Sequence, residues 1–254
     1  MFKHHLKQLS FRWWHRRRNW LYLSFSLVLG LTIAIENIQP SYSASVIELL
    51  MQGAQIFQLS SISKAQEVEL GKQINQELLS SGKVNLYRNS QLNSYINYIG
   101  NSLAQNSKRP DLPYKFQIVD DPNLNAFATM GGFVYVHTGI IAKADNEAQL
   151  ASVIAHEIGH IGGKHAIKQM RDSAIAQGVL TATGLNQQAA VQIGVDLALS
   201  KPNSRQDEFE ADRYGVETLR KTGYATIGAV EFMNKLLQNK SGMPTFLSTH
   251  PATS

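Results

Sequence analysis

His156-Glu157-Ile158-Gly159-His160 decides how this chain is read. Residues four apart on a helix lie about 40° apart around its axis and one turn apart along it. Two imidazoles at that spacing can reach one ion, and the pattern is H-E-x-x-H. Glu157 leans to the edge of the same face. It is too close in sequence to be a convenient ligand, but well placed to touch an attacking water. A catalytic zinc takes three protein ligands and keeps one position open. There it polarises a carbonyl and activates water, while a neighbouring carboxylate takes the proton and passes it to the leaving amine.

Chance supplies this motif in about one chain in a hundred of this composition, so the flanks matter. Leu150, Val153, Ile154 and Ile161 bury the helix, and buried ionisable groups need a reason. The third ligand sets the subclass. A third histidine three residues beyond Gly163 would make a metzincin, but that position is Ala166 and His165 comes one residue early. If the helix continued, His165 would face away from His156, as a structural group or one standing behind a ligand. The remaining choice is an acid on a later helix. In Ser204-Arg205-Gln206-Asp207-Glu208-Phe209-Glu210-Ala211-Asp212, Glu208 and Asp212 share a face. Glu208 is the expected metal ligand, Asp212 is expected to orient a ligand histidine through its other ring nitrogen, and Glu210 is expected in solvent. Alone, that helix would read as a charged surface.

The remainder of the chain sets bounds. Its 254 residues, 43% hydrophobic and 17% charged, suit one sizeable domain plus a targeting segment. Six of the 24 Lys and Arg fall before residue 19, and Glu36 is the first acid, so residues 45–254 carry 18 bases against 18 acids. The excess charge therefore belongs to the N-terminus and argues against a nucleic-acid surface. The absence of cysteine excludes disulfides, thiolate metal sites and a cysteine nucleophile.

After Arg18 an uncharged run, residues 21–35, leads to Pro40 and Ser41-Tyr42-Ser43-Ala44-Ser45, the order of a secretory signal peptide. At about 1.5 Å per residue that run falls short of a roughly 30 Å hydrocarbon core. A retained anchor extended by its flanks is the alternative. Residues 1–44 are thus read as a signal peptide or N-terminal membrane anchor, and 45–254 as the folded domain.

Along that domain, Ser63-Lys64-Ala65-Gln66 reads as a capping box, with Leu70, Ile74 and Leu78 on one helical face. Helical spacing recurs from Leu92 to Leu103. Lys115 to Val119 and Phe133 to His137 alternate as strands. In the second, Phe133, Tyr135 and His137 point one way, and Val134 and Val136 the other. Helical spacing runs from Asn146 through Met170. Residues 173–200 read as helices packed on the domain or a flap.

Several segments carry a resemblance: Glu67 to Lys72, Asn125 to Ala128, Gly131 to Gly139, Glu147 to Ala151, His156 to His160, Glu208 to Asp212, and His250-Pro251. The chain resembles the zinc metallopeptidases that include HtpX, the CAAX prenyl proteases and the periplasmic protease BepA. It looks most like the BepA branch, without that branch's helical-repeat domain or the arginine that usually follows the His-Pro pair. The resemblance implies an α+β fold: a mostly helical, gluzincin-type domain with a small β-sheet. It implies one zinc per chain on His156, His160 and Glu208, with Glu157 catalytic and Asp212 behind a ligand. His250, in the His-Pro pair, is expected either to block the open metal position or to steady an oxyanion. Substrate is expected to add as a strand along Gly132, Phe133, Val134, Tyr135 and Val136, read as an edge. The activity implied is endopeptidase action on unfolded or misassembled envelope proteins by an exported, periplasmic enzyme, membrane-associated through its N-terminus if the anchor is kept. A non-catalytic zinc adaptor is the rival, and a general base at Glu157 speaks against it.

Overall fold

Ser63 caps the first long helix as its sequence predicts: its hydroxyl accepts from the Gln66 amide, and Gln66 reaches back to the Ser63 amide. The computed structural model describes residues 56–57, 59, 61–179, 184–200, 204–238 and 245–250. In chain order the elements are β1 (Ile56–Phe57), α1 (Lys64–Ser80), α2 (Ser90–Gln105), β2 (Lys115–Val119), β3 (Ala126–Thr129), a 3-10 turn (Met130–Gly132), β4 (Phe133–His137), α3 (Thr138–Lys143), α4 (Glu147–Gly162), α5 (His165–Ala176), β5 (Leu185–Asn186), α6 (Gln187–Ser200), α7 (Arg205–Thr222), α8 (Ile227–Leu237) and α9 (Thr245–Thr249). The fold is α+β and mostly helical. Residues 1–44, and with them the proposed signal segment and its boundary, lie outside the described residues. Among the described residues no helix is long and apolar enough to cross a membrane.

The sheet corrects one expectation. Its order is β2-β4-β3, so Phe133–His137 is the central strand, parallel to β2 and antiparallel to β3. Its backbone is paired on both sides, and Gly132 to Val136 cannot take an added strand. The sequence reading missed β3, because the four residues Ala126–Thr129 are too short to show alternation against the preceding turn. The expected side-chain alternation of β4 does hold. Val134 and Val136 pack with Ile96, Ile99 and Ile154, while Phe133 and Tyr135 pack with Leu70, Ile74 and Met170. The sheet thus separates two cores.

Helix α4 lies in the first core and is buried continuously from Gln149 to Ile161. Its partner is α7. A Cβ on Gly159 would sit 2.4 Å from the Ala211 carbonyl oxygen, so the two backbones touch where only glycine fits. A similar approach seats α1: a Cβ on Gly71 would meet the Met130 oxygen at 2.2 Å. The same junction holds a buried ion pair. Arg109 donates to both oxygens of Glu67, at 2.8 and 2.7 Å, and to the Ile161 carbonyl at 3.3 Å, tying α1 to the end of α4.

Helical spacing from Asn146 to Met170 does not mean one helix. The chain stops at Gly163, passes through Lys164 at φ 56°, and restarts at His165. An uninterrupted helix would turn His165 away from His156; the break instead brings its ring to 2.8 Å from His160 Nδ1. Within residues 173–200, the first four end α5, Leu185–Asn186 form β5 and Gln187–Ser200 form α6, which packs on α1, α5 and β3.

Candidate active site

Three elements converge on one point. Helix α4 brings His156, Glu157 and His160; α7 brings Glu208; the residue after α9 brings His250. The His156 and His160 Nε2 atoms are 3.0 Å apart. Glu208 lies 3.4 Å from each of them, one oxygen to each. His250 Nδ1 is 3.2 Å from His156 Nε2 and 3.2 Å from both Glu208 oxygens. Among the described residues, His156, His160, Glu208 and His250 are the group whose ligand atoms all lie within 4.8 Å of one another. All four, and Glu157, are buried.

The donor chemistry fits a metal cation. Bonds of about 2.0–2.1 Å in a tetrahedron place ligand atoms about 3.4 Å apart, close to the spacings here. The ring nitrogens also present the correct atoms. Asp212 Oδ1 lies 2.9 Å from His156 Nδ1, so that nitrogen donates and Nε2 turns its lone pair inward. His160 Nδ1 is 2.8 Å from His165 Nδ1, leaving its Nε2 facing the cluster as well. Two ring nitrogens and a carboxylate pointed at one another need a positive charge between them, either a metal ion or an added proton on an imidazole.

The electrostatics say the same. Burial opposes charge on His156, yet Asp212 and Glu208 outweigh it and draw the ring up to about 10. Burial would raise Glu208, but His156 and His250 hold it down at about 2. His160 is held well below the ordinary histidine value, first by burial and then by its neighbouring imidazoles. Glu157 is different. Burial raises it above the usual carboxylate range, with His250 and His156 opposing. Its Oε1 makes no hydrogen bond, and His250 Nε2 stands 3.5 Å away. It is a buried carboxylate beside the cluster, with one oxygen that makes no hydrogen bond and has His250 as its charge partner.

A cleft leads to this point past Phe127, Thr129 and Met130 on one wall and Ile167 and Leu197 on the other. The wall nearest the sheet is therefore β3 and the turn after it, while Gly132 to Val136 lie behind. His250 is not an exposed tail residue: it is 4% exposed, following a short helix, and its Pro251 neighbour lies outside the described residues. Glu210, expected in solvent, instead faces His165 at 3.2 Å and accepts from Tyr214 at 2.7 Å. The signal for His165 was present in Gly162-Gly163, a pair that ends a helix and lets the next residue turn back.

Comparison with known proteins agrees with this geometry. Residues 90–254 match peptidase family M48. The chain is 32% identical to metalloprotease LoiP of Escherichia coli over 215 residues, which cover 81% of this chain and 83% of LoiP. It is 29% identical to the beta-barrel assembly-enhancing protease of Escherichia coli over 242 residues, 89% of this chain but only 48% of that protein. The chain thus spans about half the length of that relative. Metalloprotease YcaL of Escherichia coli is 25% identical over 210 residues, 80% of this chain and 81% of YcaL. The matched residues 90–254 contain the whole donor cluster, and the chain belongs to peptidase family M48.

Proposed function

We propose that this chain is a zinc-dependent endopeptidase of the cell envelope, cleaving unfolded or misassembled proteins. The observation that carries the reading is the buried Glu157 carboxylate, whose Oε1 makes no hydrogen bond and faces His250 Nε2 beside a donor set shaped for a cation. A structural metal site has no use for such a base. His156, His160 and Glu208 would hold the ion, with Asp212 behind His156. Bound zinc polarises the scissile carbonyl and makes a nearby water more acidic. Glu157 takes the proton of that water as its oxygen attacks the carbonyl carbon. It then delivers the proton to the amine nitrogen as the C–N bond breaks, so no covalent enzyme intermediate forms. Burial raises the affinity of Glu157 for the proton it must carry.

Substrate lies along β3. That strand is a sheet edge, and its Phe127 and Thr129 line the cleft. Main-chain pairing with an edge binds extended chain with little regard to sequence, which suits unfolded substrates. His250 occupies the fourth corner of the donor set in the resting enzyme and moves out for turnover; its Nδ1 at 3.2 Å from three ligand atoms supports this over an oxyanion role. The basic, apolar and small-residue order of residues 1–44 supports export, with membrane association if the segment is retained. The relative named as beta-barrel assembly-enhancing protease supports an envelope setting.

The purified chain should hold about one zinc and degrade casein. Glu157→Gln should keep the metal and lose about 10²–10⁴-fold in turnover. Wild-type turnover in Glu157→Gln overturns the mechanism, and zinc without proteolysis in the wild type favours the adaptor reading.

A further inference from the structure

We propose that His165 is a positioning residue for the metal centre, holding His160 through a relay that ends on the carboxylate of Glu210. The inference rests on the metal reading above and deepens it. His165 is 2% exposed, the first residue of α5, and takes no part in the donor cluster. Its Nδ1 lies 2.8 Å from His160 Nδ1, and its Nε2 lies 3.2 Å from Glu210 Oε2. A carboxylate can only accept, so the proton of His165 sits on Nε2 and its lone pair on Nδ1. His160 must then donate from Nδ1, which turns the lone pair of its Nε2 toward the cluster. The far end is also held: Tyr214 and Arg213 donate to Glu210 Oε1 at 2.7 and 3.2 Å. Asp207 stands 3.9 Å from the same His165 nitrogen, itself held by Lys168 at 2.7 Å.

The backbone is shaped for this contact. A Cβ on Gly163 would lie 2.2 Å from His165 Nε2, so the ring occupies the space a side chain there would need. Lys164, at φ 56°, is the only described non-glycine residue with positive φ, and it reverses the chain so that His165 folds back on α4. The two ligand histidines are thus oriented by carboxylates in two ways. Asp212 holds His156 directly at 2.9 Å; Glu210 holds His160 through an intervening imidazole.

Zinc dissociation constants, measured by competition with a chromophoric chelator, test the relay. His165→Ala should weaken zinc binding by about 10–100-fold, the usual cost of losing a group behind a metal ligand. His165→Gln, whose amide can accept from His160 and donate to Glu210, should recover most of that loss. Glu210→Ala changes a half-exposed residue, so it carries the test if His165→Ala fails to fold, and it should weaken zinc binding several-fold. Imidazole nitrogen NMR should find the His160 proton on Nδ1 in the wild type. Zinc binding at wild-type strength in either alanine variant overturns the relay, as does a His160 proton on Nε2. A wild-type chain that takes up no zinc from the chelator overturns the metal reading itself, and the relay with it.

Discussion

Helices α4 and α7 meet the same donor cluster as the short helix α9, but they are held very differently. The first two press backbone to backbone at Gly159 and Ala211, and α4 is closed in from Gln149 to Ile161. Arg109 and Glu67 tie the end of α4 from behind. Helix α9 spans five residues. Among the described residues its one backbone bond to the rest of the fold is Phe246 N–H to the Leu124 carbonyl at 2.8 Å, beside the burial of Phe246 and Leu247. The difference separates two kinds of donor. His156, His160 and Glu208 sit where movement disrupts a core, whereas His250 sits where movement costs a few contacts. The proposed ligand set has to stay, and the proposed blocking group has to leave.

The largest expected effect breaks the rigid side. Glu67→Ala leaves the largely buried Arg109 guanidinium without its carboxylate and should cost about 3–5 kcal/mol in urea unfolding. A loss below about 1 kcal/mol would show that the ion pair does not hold α4. Next, Gly159→Ala forces α4 away from the Ala211 oxygen. It should cost about 1–3 kcal/mol and weaken zinc binding, because His160 and Glu208 move apart. Wild-type zinc affinity there would show the helix pair to be more compliant than its packing implies.

His250→Ala addresses the more lightly held side. It should raise casein hydrolysis while zinc content stays near one per chain and the unfolding midpoint moves less than in either variant above. Unchanged turnover would remove the blocking role, and a fall in kcat with KM unchanged would restore the oxyanion alternative.

The smallest effect comes from His137, a buried histidine outside both regions that separates site chemistry from general burial. Burial holds its pKa below the usual value, with Asp121 at 3.4 Å opposing. The unfolded chain therefore takes up a proton at higher pH than the folded chain does. Stability should fall as pH drops below about 6.5 and level off once the folded pKa is passed. His137→Asn should flatten part of that slope, as read by urea unfolding at several pH values. An identical slope would assign the pH dependence elsewhere.

The sequence by itself determined the helical face of His156 and His160, because a four-residue spacing is a local property of a helix. Glu208 and Asp212 were legible for the same reason, since they share one face of α7. The Ser63 capping box and the facing of β4 were likewise written in short-range pattern. What depends on partners distant in sequence was not legible. Whether β4 is an edge or a centre depends on β3 pairing with it, and a strand's own alternation is the same in either place. The direction of His165 turned on one left-handed residue, Lys164, and the Gly162-Gly163 pair before it marked the helix end without fixing where the next ring would point. The surroundings of Glu210 and His250 were set by α5 and α9 folding back onto α4 and α7. Tertiary structure decided those positions, because burial and hydrogen-bond partners are properties of what packs against a residue rather than of the residues beside it.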